Sequence, residues 1–141
     1  MLNDSQKRKV SVTVSTLEEN LIEIEELLKS EDRAGVLFEL DNDIPLRVKR
    51  AILYKIASIK LEIKNLVDQF GLYKQPKKLS SRISGDASVL WASVAEIKSR
   101  NLKGYGGIAE GLQEALDPAL EMICQELLEI QHYAGQLNRE E

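Results

Sequence analysis

The chain is poor in several residue types that would point to a particular class. Its one cysteine, Cys124, cannot close a disulfide within the chain, so a reducing compartment, the cytoplasm, is the inferred location. Only three prolines occur in 141 residues, which leaves long stretches that nothing interrupts. No apolar run approaches the roughly eighteen residues of a membrane span, and no membrane association is expected. Residues 1–9 are polar and lack the apolar centre of a signal peptide. A single histidine, His132, leaves little material for a nucleophile–base pair or a multi-histidine metal site. No internal repeat and no low-complexity run is present.

What the chain does contain favours helix. A composition of 43% hydrophobic and 30% charged residues suits a folded chain, and the length suits one domain with one sizeable core. Leu, Ile, Glu and Lys dominate, which favours helix over strand. The longest pattern is Leu46–Phe70, where Ile52, Ile56, Ile59, Ile63, Leu66 and Phe70 repeat along one helix face. Asp43 is its expected N-cap, Pro45 suits its first turn, and Gly71 with Leu72 fits a left-handed C-cap. Leu46, Leu53, Tyr54, Ala57, Leu61 and Val67 widen its apolar surface, so contacts are expected on two sides. A central helix or one in an oligomer interface has that character.

The other elements are read around this helix. Val10, Val12 and Val14 alternate with Ser11 and Thr13, the period-two signature of a short strand or extended arm. A first helix is expected from Ser15 or Thr16, with capping boxes to Glu18 or Glu19 and an apolar stripe of Leu17, Leu21, Ile24 and Leu28. It should end by about Ala34, before Gly35. The connector 36–43 carries Val36, Leu37, Phe38 and Leu40 and is expected to lie against the core. A third helix runs from about Leu79 along Leu79, Ile83, Ala87, Leu90, Val94 and Ile97, with a weak point at Gly85. Trp91 flanks that stripe in a core or interface role. A short helix around Ile108, Leu112 and Leu116 follows the glycine-rich stretch 101–111. Asp117 and Pro118 then open the last helix, whose seam is Leu120, Ile123, Leu127, Ile130, Ala134 and Leu137.

Charge is segregated along the chain. Residues 15–43 hold ten acids against Lys29 and Arg33, and residues 47–82 hold ten bases against Glu62 and Asp68. Blocks of opposite sign can attract one another within a fold or leave a basic stripe for a partner. Catalytic constellations are scarce. The stretch from Lys103 to Gly107 lacks the lysine and hydroxyl pair that a phosphate loop needs after its second glycine, and reads as a tight connection. Glu129 and His132 have the E-x-x-H spacing of a di-iron helix, yet on the expected seam both face outward. They are weak metal candidates, and His132 is also a candidate phospho-acceptor. Cys124 reads as a small buried hydrophobe. No catalytic residue and no cofactor is inferred.

One stretch carries a resemblance. Lys7, Arg8 and Lys9 followed by Ser11 and Thr13, then by two helices, resemble a ribbon-helix-helix DNA-binding module. The resemblance implies a dimer that pairs its strands and lays Lys9, Ser11 and Thr13 into the major groove, with Val10, Val12 and Val14 facing the core. It covers at most the first seventy residues.

The fold inferred is all-α: an up-and-down four-helix bundle with a short extra helix and an extended N-terminal arm. The arm spans 1–14 and a single helical-bundle domain spans 15–141. The inferred function is that of a non-enzymatic protein that acts through protein–protein contacts as a homodimer. The interface candidates are Ile52, Leu53, Tyr54, Ile56, Leu61 and Trp91. The alternatives are a DNA-binding regulator using the N-terminal ribbon, and a metal-dependent or phosphotransfer bundle using His132.

Overall fold

The computed structural model describes residues 1–136. The protein is all-α, with α1 (Asp4–Lys29), α2 (Leu46–Phe70), α3 (Leu79–Glu96) and α4 (Leu112–Gln136). A small antiparallel hairpin, β1 (Arg33–Ala34) and β2 (Glu39–Leu40), joins α1 to α2, with Arg33 opposite Leu40 and Ala34 opposite Glu39. The chain forms two compact units, Met1–Gln75 and Pro76–Glu141. No helix among the described residues is long and apolar enough to cross a membrane.

In the first unit the extended arm is not found. Residues 4–14 are the first turns of α1, which starts with a capping box: the Asn3 side chain accepts the Gln6 N–H, and the Gln6 side chain accepts the Asn3 N–H. The valine alternation gave way to a longer repeat. Val14, Leu21 and Leu28 fall seven apart, and Ser11 lies on the same face. Helix here therefore extends the contact with α2, whereas a strand would have no partner. The packed seam consists of Leu21, Leu28, Ile56 and Ile63, with Val14, Ile44, Ile52 and Leu53 against it. The Glu25 carboxylate pairs with the Lys60 ammonium across the two helices. The acidic and basic blocks thus meet at this point within one hairpin.

α1 also stops earlier than Gly35 suggests. Its C-cap is Ser30, whose hydroxyl donates to the Leu27 carbonyl at 2.6 Å. The Asn42 side-chain amide reaches back and donates to the Ser30 carbonyl at 2.9 Å, supplying a donor at the helix end. α2 matches its expected span, but Asp43 is not its N-cap. That position is held by Pro45, with no side-chain cap bond. Gly71 ends the helix in the left-handed region (φ 64°), donating to the Val67 carbonyl at 2.9 Å, and Leu72 folds back and is buried.

In the second unit α3 is continuous through Gly85, and α4 lies antiparallel to it. Ser84 lies beside His132, Cys124 Sγ donates to the Trp91 carbonyl at 3.9 Å, and Asp117 meets Ser99. The expected short helix around Leu112 and Leu116 is the start of α4 itself, so Asp117 and Pro118 lie inside the helix. Leu112, Leu116 and Leu120 continue one face by fours, which carries the helix across the proline. Two 3-10 turns, Ser99–Asn101 and Lys103–Tyr105, make the connection.

Candidate interaction surface

The seam of the second hairpin keeps Ala87, Leu120 and Ala134 of the expected apolar spacing but is rotated away from its larger members. Its buried residues are Ala87, Leu120, Cys124 and Ala134, with Ser84 and Gly135 half-buried beside them. Small side chains let the two helices approach closely. The larger residues then fall on the flank: Ile83, Leu90 and Ile97 along α3 and its end, and Ile123 and Ile130 on α4, are all exposed. Of the expected seams, Leu79, Ile83, Leu90, Ile97, Ile123 and Ile130 are thus corrected to surface positions. Leu137 lies outside the described residues. A step of about 100° per residue puts both exposed stripes on the same side of this antiparallel pair. The first hairpin repeats the arrangement, with Leu17 and Ile24 on α1 and Ile59 on α2 exposed beside the seam.

The interface candidates divide in the same way. Ile56 is buried in the seam and Ile52 and Leu53 are half-buried against it, so these three serve the hairpin itself. Tyr54 (74% exposed) and Leu61 (59% exposed) stand on the outer side of α2. Trp91 is 39% exposed above the α3–α4 contact. The wide apolar surface of α2 is therefore only partly used within the unit.

The nucleic-acid candidates do not form a ribbon. Lys7, Arg8, Lys9, Ser11 and Thr13 all lie on α1, and Ser11 is buried on the α2 side, so the strand pairing that the ribbon-helix-helix resemblance needs is lost. Glu129 and His132 are exposed on α4. His132 Nε2 lies 3.2 Å from the Gln136 side-chain nitrogen, and its ring is tilted against that of Tyr133 at 6.4 Å. No group of three or more potential metal-ligating side chains occurs among the described residues. Cys124 is buried.

Two further features differ from what the sequence indicates. The connector does not lie against the core: Val36 is 101% exposed and Leu37 97%, at the tip of the β1–β2 hairpin. The turn holds itself in place. The Gly35 N–H donates to the Phe38 carbonyl at 2.9 Å, and the Phe38 ring lies over Gly35 so closely that a Cβ there would sit 2.6 Å from it. Ile44, not residues 36–40, takes the place against the core. Gly35 among apolar residues with acids on both sides was the available signal. The second feature is a cleft of about 320 Å³ between α1 and the chain that follows α2. Val14, Ile63, Val67 and Leu72 give it an apolar lining, and Glu18 and Lys74 add charge. Ser11, 3% exposed, also lines it, and its hydroxyl has no hydrogen-bond partner. A lone serine on a helix gives no sequence signal of this kind.

Comparisons with protein-family models, with curated proteins and with solved structures found no match.

Proposed function

We propose that the protein is a non-enzymatic interaction protein of the cytoplasm that works as a homodimer through its helical surfaces. The observation that carries this reading is the line of large apolar side chains left open on one side of each hairpin: Leu17, Ile24 and Ile59 in the first, Ile83, Leu90, Ile123 and Ile130 in the second. Monomers seldom leave contiguous apolar patches much beyond about 300–600 Å² open to water, because burying them is worth about 25 cal/mol per Å². Tyr54 and Leu61 add anchors of the kind that dominate protein contacts. The single buried cysteine fits a reducing compartment. Light scattering on a size-exclusion column is the direct test. A mass of two chains at micromolar concentration is expected, and one chain at every accessible concentration would overturn the reading.

A further inference from the structure

We infer that the dimer pairs two copies of the first hairpin antiparallel, with the Val36–Leu37 tip of each seated in the Ser11 cleft of the other. The inference rests on the dimer proposed above and assigns its geometry.

The tip and the cleft each lack what the other supplies. The tip presents two aliphatic side chains wholly to water, held there by a turn with its own hydrogen bond. The cleft offers an apolar lining and a volume of about 320 Å³, within the usual range for a binding pocket. It also contains a desolvated hydroxyl, Ser11 Oγ, with no partner. Such a group is costly to leave unpaired, and the backbone of an inserted turn carries both donors and acceptors for it.

The tip cannot reach the cleft of its own chain. The cleft centres near Val14 and the tip lies beyond Lys29, so at 1.5 Å per residue they are more than about 20 Å apart along α1. An antiparallel second copy brings them together twice, which closes the assembly at two chains.

Charge favours the same arrangement. The tip segment 31–43 carries Glu31, Asp32, Glu39, Asp41 and Asp43 against Arg33, with Arg47, Lys49 and Arg50 opening α2 behind it, while the cleft end carries Lys7, Arg8, Lys9, Lys64 and Lys74 against Asp4, Glu18 and Asp68. Seating the tip in the cleft sets the net-acidic segment 31–43 against a net-basic surround.

The test combines mass measurement with crosslinking on the full chain. Leu37→Asp alters a fully exposed side chain, so folding is untouched, and the dimer dissociation constant is expected to rise about 10- to 100-fold. In a Cys124→Ser background, Leu37→Cys mixed with Ser15→Cys should form a mixed disulfide under mild oxidation, while Leu37→Cys alone should form little. A wild-type dimer that survives Leu37→Asp, without the mixed disulfide, would overturn this geometry and leave the homodimer standing. Ready self-pairing of Leu37→Cys, or masses above two chains, would also overturn it. A monomeric wild-type protein would remove both readings.

Discussion

The Asp117 carboxylate holds Ser99 at two points, accepting its backbone N–H at 2.8 Å and its hydroxyl at 3.0 Å. An aspartate that reads in the sequence as the cap of its own helix instead fixes the turn at the end of the helix before it. Ser99 is 4% exposed, so these bonds are shielded from water. Asp117→Ala should lower stability by roughly 1–3 kcal/mol, the cost of leaving a buried donor unpaired. A urea titration followed by circular dichroism measures this, and Asp117→Asn should recover part of the loss.

Two glycines should respond in opposite directions. Gly71 has φ 64°, where a Cβ is strained, and the added atom would lie 3.2 Å from Lys7 Nζ. Gly71→Ala should therefore cost about 1 kcal/mol or more. Gly85 is inside α3 with open space where its Cβ would be. Gly85→Ala should raise stability by about 0.5–1 kcal/mol. Thermal midpoints that moved together would contradict the backbone assignment at one of the two.

The Glu25–Lys60 pair joins α1 to α2 with side chains 23% and 36% exposed. Partial solvent screening keeps its value small. A double-mutant cycle to alanine should give a coupling of about 0.5–1 kcal/mol, shrinking as salt is raised. A coupling that ignored salt would mean a drier contact than the exposures indicate.

Ser11→Ala separates the single chain from the dimer. In dilute solution, where single chains prevail, removing an unpartnered buried hydroxyl should raise stability by up to about 1 kcal/mol. At dimer-forming concentrations that gain should shrink as the partner contact is lost. Unfolding midpoints recorded at low and high protein concentration provide the check.

The helices were legible where one apolar period ran long enough. Ile52, Ile56 and Ile63 place α2, and Gly71 ends it as its sequence suggests. The start of α1 was not, because Val10, Val12 and Val14 satisfy a two-residue repeat, while the competing seven-residue repeat of Val14, Leu21 and Leu28 gains its meaning only against α2. The end of α1 depends on Asn42, twelve residues beyond Ser30, which local pattern cannot signal. On α4, apolarity pointed alike to Leu120, Ile123, Ile130 and Ala134; Leu120 and Ala134 are buried, while close packing brings in the small Cys124 and leaves Ile123 and Ile130 outside. The same choice created the exposed stripe, so the candidate surface was hidden by the rule that made the helices readable.

The exposed tip has a consequence for the way this chain is cut. Leu37 and Phe38 are side chains that chymotrypsin favours, and they stand on a short turn clear of any helix. Brief digestion should nick the first unit there and leave α1 and α2 as two fragments still held by Leu21, Leu28, Ile56 and Ile63. Protection of that bond on raising the protein concentration would then reveal when the tip is occupied.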